Sequence, residues 1–278
     1  MDKVAKSKVA VIYFSGVGNT RRIATAIHQK LGKILSADLY SVEEAEILNT
    51  VDLDCYDGVV IGFPIVHTHP SKIILDYIHE IDRLSAPKAA YIFSTCGLYS
   101  ANALRIFSKH CSSKNVISVM YRDYRGCPAT DGALLAPFVK GFFTFPKNLD
   151  KFIEEDVNRF AAIVEGGLLE LKTPRFKFYS ILNYPNKLAG QLISFPIFLH
   201  RQNCKKCGKC IINCPVGAYI KDEEGFPLFS ITKCAKCYRC IHHCPNLALS
   251  LSRRKLPKKV LVFKGDDDSC SLPSSDND

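Results

Sequence analysis

Residues 8–32, KVAVIYFSGVGNTRRIATAIHQKLG, decide the fold because their hydrophobic pattern changes from that of a strand to that of a helix. The run KVAVIYF is a short apolar stretch typical of a buried strand. After the glycine-rich turn SGVGNT, apolar residues recur at helical spacing at Ile23, Ile27 and Leu31. Gly32 then marks the end of the helix. The segment therefore predicts a strand, a tight turn and a helix.

The same alternation continues to about residue 165. A closing helix is predicted over Leu149–Val164, with Asn148 as its N-cap and Gly166 as its stop. Strands that alternate with helices predict a parallel sheet covered on both faces. The intervening strand-like runs are YDGVVIGFP, KAAYIFS and NVISVMY, and the helical ones are SKIILDYIHEI and YSANALRIFSKHC.

Two cysteine motifs occupy the last third of the chain. Cys204–Pro215 and Cys234–Pro245 both have the spacing C-x2-C-x2-C-x3-C-P, thirty residues apart. The same shift also aligns further identical residues, so the segment is an internal duplication. The shared positions outside the cysteines include Lys206/Lys236, Ile211/Ile241 and Ala218/Ala248.

This spacing predicts two [4Fe–4S] clusters with an exchanged ligand. Three closely spaced thiolates can bind three irons of one cubane, whereas the fourth cysteine of each motif points toward the other copy. A structural zinc site would need only two Cys-x-x-Cys pairs, and a Rieske centre would need histidine ligands in a Cys-x-His element that is missing. The predicted ligands are Cys204, Cys207, Cys210 and Cys244 for one cluster, and Cys234, Cys237, Cys240 and Cys214 for the other.

Residues 195–254 resemble the bacterial-type two-cluster ferredoxins, with structural repeats over 195–224 and 225–254. The resemblance implies one-electron transfer through both clusters.

The turn after the first strand is similar to the phosphate loop of flavodoxins. Ser15, Gly18, Asn19 and Thr20 match that loop, whereas Val17 replaces a residue that is usually a hydroxyl. A dinucleotide-binding Rossmann turn would want a third glycine where Arg21 stands, and the Gly-Lys pair of a Walker loop is absent.

The resemblance implies a bound FMN whose ring lies between the loops GFPIVHTHP and STCGLYS. Phe63 or His67 on one side and Tyr99 on the other are expected to flank the ring. Backbone groups near Cys96 and Gly97 are expected to meet its polar edge. The predicted FMN residues are Ser15, Val17, Gly18, Asn19, Thr20, Phe63, Pro64, Cys96, Gly97 and Tyr99.

The whole chain resembles the flavodoxin–ferredoxin fusion proteins of anaerobic bacteria and archaea. The implied fold is α/β: a flavodoxin-like, doubly wound, five-stranded parallel sheet followed by a small α+β ferredoxin-like domain. The predicted division is an FMN domain over 1–171, a basic aromatic connector over 172–194, the two-cluster domain over 195–264 and a disordered acidic tail over 265–278.

Charge is concentrated around the cysteines. Residues 172–264 carry 18 Lys and Arg against 3 Asp and Glu, whereas residues 1–171 carry 19 of each. This excess predicts a redox partner protein with an acidic surface. A nucleic-acid partner is not expected, because no recognition motif accompanies the charge. Because no apolar run approaches the ~20 residues of a membrane span and the N-terminus looks like a strand rather than a signal peptide, we expect a cytoplasmic protein.

Three functions are compatible with this pattern. The first is an electron carrier that passes electrons between the clusters and FMN. The second is an FMN-dependent reductase fed by the clusters, for which Tyr99, His67 and His69 are the candidate proton donors. The third is a ferredoxin whose flavodoxin-like domain has lost its flavin and serves for docking, an alternative that Val17 leaves open.

Overall fold

The computed structural model describes residues 6–43, 51–97, 99–126, 145–180 and 196–254. The predicted tail and connector residues 181–194 lie outside these ranges. The first domain contains strands β1 (Lys8–Tyr13), β2 (Ser36–Ser41), β3 (Gly58–Val66), β4 (His69–Pro70), β5 (Lys88–Cys96) and β6 (Val116–Arg125), and helices α1 (Asn19–Leu31), α2 (Lys72–Glu80), α3 (Ala103–Ser113) and α4 (Leu149–Glu165).

Five of these strands form a parallel sheet in the order β2–β1–β3–β5–β6, and β4 pairs antiparallel with β3. The order reverses between β1 and β3, so the loops at the carboxyl ends of these strands diverge and open a crevice. The predicted five-stranded, doubly wound sheet is therefore confirmed.

Helices cover both faces of the sheet. In β1, Val9 and Val11 pack in the core that contains residues of α1 and α4, whereas Ala10 and Ile12 pack in the core that contains residues of α2 and α3. Because both faces are buried, the strand is apolar throughout instead of alternating with polar residues.

The predicted and observed elements differ most at the edge of the sheet. The predicted closing helix is confirmed, since α4 runs from Leu149 to Glu165 with Asn148 at its N-cap. The sequence pattern does not predict β2, whose residues SADLYS are polar and apolar without a clear period; none of them is buried. Among the described helices, none is long and apolar enough to cross a membrane.

The cysteine motifs form a second, smaller unit that contains two short, two-stranded antiparallel sheets. Its core includes Ile197, Tyr219, Ile241 and Leu249. Each motif contributes one helical turn between its second and fourth cysteines. The elements are the antiparallel pairs β7 (Phe198–Leu199) with β10 (Leu249–Ser250) and β8 (Tyr219–Lys221) with β9 (Pro227–Phe229), and the turns α5 (Lys209–Ile212) and α6 (Arg239–His242).

The described part of the connector lies along the first domain. The amide of Lys172 donates to the carbonyl of Ser118 (2.7 Å), and Lys177 bonds to Ser100 (2.6 Å). The rings of Phe176 and Phe178 are 46% and 77% exposed. The aromatic content of the connector predicts that it packs the ferredoxin-like unit against the carboxyl edge of the sheet, but these two rings lie largely in solvent.

A buried polar network joins α4 to the sheet. Asp156 is 4% exposed and accepts hydrogen bonds from the hydroxyls of Tyr91 (2.9 Å) and Tyr124 (2.8 Å). The Arg122 guanidinium also bonds to Asp156 (2.7 Å). Burial and the nearby Asp156 charge raise the pKa of Tyr124, so its phenol stays a proton donor.

We expect Asp156→Ala to lower the free energy of unfolding by roughly 3 kcal/mol, because it removes the shared acceptor of two buried phenols and an arginine. Equilibrium urea denaturation would measure the change. Glu155→Ala on the same helix is the control, because Glu155 is 55% exposed and forms only a surface ion pair; it should change stability by less than about 0.5 kcal/mol. Equal losses in the two variants would contradict a role for the network.

Candidate functional site

The first group of thiols lines one cavity. Cys204, Cys207 and Cys210 of the first motif share this cavity with Cys244 of the second. Burial, followed by the nearby Cys244 thiol, raises the pKa of Cys210 to about 11, and Cys204 and Cys207 add to the rise. The fold therefore brings together the four cysteines that the sequence predicted as one ligand set.

The second group shows the reciprocal arrangement. Burial raises the pKa of Cys237 to about 11, and the Cys234 and Cys214 thiols add to the rise while Arg239 opposes it. Burial is also the main cause of the raised pKa values of Cys234 and Cys240, and Cys214 contributes to both. Cys214 of the first motif thus lies beside the three thiols of the second.

The two copies also share their backbone geometry. In each copy, the residue directly before the second cysteine has a left-handed backbone conformation, and so has the residue directly before the helical turn. These conformations curl the loop around its thiols. Amide groups then point at sulfur atoms, a contact that favours thiolate over thiol. The left-handed residues are Lys206, Gly208, Lys236 and Tyr238, and the N–H···Sγ contacts are Lys206–Cys204 (3.4 Å), Lys236–Cys234 (3.3 Å), Ala218–Cys214 (3.2 Å) and Ala248–Cys244 (3.2 Å).

Each group of four cysteines offers one thiol for each iron of a [4Fe–4S] cubane. In the part of the chain that the structure describes, no three His, Cys, Asp or Glu side chains lie close enough to hold one metal ion. A [4Fe–4S] cubane takes one thiolate per iron, so its ligands surround a larger object. The donor set, four thiolates in each group with amide contacts to sulfur, is the one that this cofactor requires.

A second cleft opens at the carboxyl ends of β1, β3 and β5 and has a volume of about 170 Å³. Its walls come from the loop Ser15–Thr20, the segment Pro64–His67, the segment Thr95–Gly97 and, from the other domain, the segment Lys236–Tyr238. The cleft lies at the reversal point of the strand order, where ligands bind in doubly wound sheets.

The Ser15–Thr20 loop has the features of an anion cradle. Gly18 at the N-cap of α1 has a left-handed φ of 102°, and its amide donates to Ser15 Oγ (3.1 Å). Thr20 is buried, and its hydroxyl bonds to that of Thr95 (2.8 Å). The first turn of α1 contains no acidic residue, so its N–H groups and the helix dipole favour a negative group.

The structure corrects one of the expected ring contacts. Phe63 is 0% exposed and packs on Phe107 (centroids 4.6 Å apart) in the core between the sheet and α3, because strand alternation turns it away from the cleft. Tyr99 is half-buried and is not among the cleft residues. The predicted residues Ser15, Val17, Asn19, Thr20, Pro64, Cys96 and Gly97 do line the cleft, as does His67.

Sequence reasoning did not identify the residues that the ferredoxin-like unit contributes to this cleft. Lys236 and Tyr238 line it, and the Tyr238 hydroxyl lies 3.3 Å from His67 Nε2. Burial is the main reason that the pKa of His67 is lowered, followed by the charge of Lys236. A comparison of the two motif copies held a signal, since Tyr238 stands where the first copy has Gly208.

Comparison with known proteins finds two family models that match separate parts of the chain. A family model described as a flavodoxin domain matches residues 10–115, and one described as a 4Fe–4S dicluster domain matches residues 196–245. No curated protein matches the chain.

Solved structures similar to the chain include flavodoxins and flavodiiron proteins. Flavodoxin 1 from Bacillus cereus is 16% identical with a TM-score of 0.41, over 55% of this chain and 97% of that one. A flavodoxin from the domain Archaea is 18% identical with a TM-score of 0.36, over 54% and 99%. The flavodiiron core from Synechocystis is 18% identical with a TM-score of 0.43, over 59% of this chain but only 38% of its own length.

The two matched domains imply an electron-transfer function that uses a flavin and iron–sulfur chemistry. The chain thus contains a flavodoxin domain at residues 10–115 and a 4Fe–4S dicluster domain at residues 196–245, an arrangement consistent with a flavodoxin–ferredoxin fusion.

Proposed function

We propose that the protein passes electrons between two [4Fe–4S] clusters and a bound FMN within one chain. One observation carries the proposal: Cys237, a predicted cluster ligand, lines the cleft that the flavodoxin loops form. The approach is close, since a Cβ atom added to Gly16 would lie 2.5 Å from the carbonyl oxygen of Cys237. Electron transfer weakens steeply with distance, so this contact supports transfer inside the molecule.

Each cluster is held by three cysteines of one motif and the fourth cysteine of the other. The common cavity of Cys204, Cys207, Cys210 and Cys244 supports this exchange. The influence of Cys214 on the pKa values of Cys234 and Cys240 supports the reciprocal set. We therefore propose two clusters, one for each group of four cysteines.

The Ser15–Thr20 loop holds the FMN phosphate, and the segments after β3 and β5 hold its ring. Val17 is 6% exposed and supplies no hydroxyl, so the phosphate relies on amide groups at the start of α1 and on the hydroxyls of Ser15 and Thr20. Bound flavin accepts one or two electrons, whereas each cluster handles one, which lets the chain connect the two regimes.

The exchanged ligation predicts that Cys214→Ser disturbs the cluster of Cys234, Cys237 and Cys240 and spares the other. Cys244→Ser should do the reverse, because its thiol lies with the first motif. EPR spectra of the two reduced variants, compared with iron content, would distinguish these outcomes. Loss of the Cys204, Cys207 and Cys210 cluster in the Cys214 variant would show that ligation is local to each motif.

The phosphate loop predicts that Thr20→Ala weakens FMN binding by about 1.5–3 kcal/mol, the value of one hydrogen bond to a charged group. Riboflavin, which has no phosphate, should bind weakly to the native protein and be affected little by the change. Thr25→Ala on the same helix is the matched control and should leave FMN affinity unchanged, because Thr25 is not among the residues that line the cleft. Fluorescence titration of the flavin-free protein would measure both affinities. Equal affinity for FMN and riboflavin would exclude a phosphate site in this loop. No affinity for either flavin would favour a flavin-free domain that serves for docking.

Transfer within one molecule predicts a rate that does not depend on protein concentration. The clusters would be reduced rapidly under anaerobic conditions, and flavin absorbance would be followed at several dilutions. A rate that rises in proportion to protein concentration would show that the two domains serve separate external partners.

A further inference from the structure

The two copies of the cysteine motif meet different surroundings although their backbones match. Gly208 and Tyr238 occupy equivalent positions with left-handed φ values of 72° and 58°. A Cβ atom on Gly208 would meet no atom within 4 Å, so this part of the first copy faces open space. Tyr238 is buried, and its hydroxyl reaches His67 of the flavodoxin domain. A tyrosine is disfavoured in this conformation, so its presence fits a specific contact that glycine could not make.

The residue after Tyr238 also contacts the flavodoxin domain only in the second copy. Arg239 sits where the first copy has Lys209. Its guanidinium donates to the carbonyl oxygens of Ser15 (2.5 Å) and Gly16 (3.2 Å) in the proposed phosphate loop. It also forms a two-pronged pair with Glu43, with both N···O distances 2.5 Å. The side chains of Arg239 and Glu43 are only 16% and 20% exposed, so the pair is largely shielded from water.

The face of the first copy is open and basic. Cys207 is exposed, and the cavity that contains it is lined by Lys205, Lys206 and Lys209 and by no carboxylate. Of the three acidic residues in the described part of this module, Asp222 and Glu224 pair with Arg201 (3.1 and 2.7 Å), and Glu223 is exposed. These lysines therefore present positive charge beside Cys207, the one exposed thiol among the eight cysteines of the two motifs.

We propose that the duplicated module has divided roles. The second copy, through Tyr238 and Arg239, holds its cluster-binding loop on the flavodoxin domain. The first copy presents a lysine-rimmed face at which an acidic redox protein docks and exchanges one electron at a time with the cluster of Cys204, Cys207, Cys210 and Cys244. This division rests on the proposed function. The electron path then has one contact inside the molecule, with the flavodoxin domain, and one outside it, with the redox partner.

Hydrogen exchange in the cluster-loaded protein tests the inner end. Arg239→Gln should speed exchange of the peptide covering residues 14–20 about tenfold, because the contact that shields it opens more often. Glu43→Gln reaches the same pair from the other domain and should act alike. Lys209→Gln, the equivalent change in the first copy, should leave this peptide unchanged. Equal effects of the Arg239 and Lys209 variants, or no effect of either the Arg239 or the Glu43 change, would overturn the inner contact.

Rapid mixing of the reduced protein with one-electron oxidants tests the outer end. Anionic ferricyanide stands in for an acidic surface, and cationic hexaammineruthenium(III) provides the opposite charge. The double variant Lys205→Glu/Lys209→Glu should slow cluster oxidation by ferricyanide about tenfold at low salt and speed oxidation by the ruthenium complex. Lys33→Glu/Lys109→Glu makes the same charge change on the flavodoxin domain and should alter either rate by less than about twofold.

Equal effects of the two double variants would show that the oxidation rates depend only on the net charge of the protein. That result would overturn the proposed docking face. If iron analysis shows that the first double variant loses its clusters, Lys205→Gln/Lys209→Gln replaces it, with a smaller change in the same direction. Both readouts use only backbone amides and clusters. Absence of extractable flavin would therefore contradict the proposed function and leave this inference to be decided separately.

Discussion

The close contact between the Ser15–Gly16 loop and the segment Cys237–Arg239 is the constraint on which the proposed electron path depends. Gly16 has no side chain because the Cys237 carbonyl takes up the space that a Cβ would need. Arg239 closes the contact through two main-chain carbonyls and Glu43. A shielded ion pair of this kind is costly to break from one side, because the remaining charge loses its partner. The pair therefore defines the relative position of the two domains more narrowly than apolar contacts alone would.

The parallel sheet supplies the other half of this arrangement. Loops at the carboxyl ends of β1, β3 and β5 diverge where the strand order reverses, and they leave a cleft in any doubly wound fold. In this chain the cleft has a fourth wall, the segment Lys236–Tyr238 of the ferredoxin domain. The generic ligand position of one fold thus coincides with the cluster-binding loop of the other.

Duplication explains how one short motif can serve two purposes. Both copies keep the cysteine spacing and the left-handed turns, which the ligation of a cubane requires. They differ where the side chains leave the cluster: Gly208 and Lys209 face open space and solvent, whereas Tyr238 and Arg239 contact the flavodoxin domain. The proposed ligation of clusters constrains the positions that the copies share, and contact with the flavodoxin domain or with solvent determines the positions that differ.

The sequence by itself determined the elements whose signal is local. Apolar periodicity predicted β1, β3, β5 and α4 nearly to their ends, whereas β6 continues four residues beyond its apolar run, to Arg125. Cysteine spacing alone predicted that Cys244 lies with the thiols of the first motif, as the structure shows. The edge strand β2 was missed because an unburied strand carries no apolar pattern. The sequence pattern assigned Phe63 to the loop after β3. In the structure β3 continues to Val66, and strand alternation turns Phe63 into the core.

Only the tertiary structure decided which cysteine motif meets the flavodoxin domain. Arg239 and Glu43 are separated by nearly two hundred residues of chain, and each alone looks like an ordinary surface charge. Their pairing depends on how the two domains contact each other, and a periodic pattern within one segment contains no information about that contact.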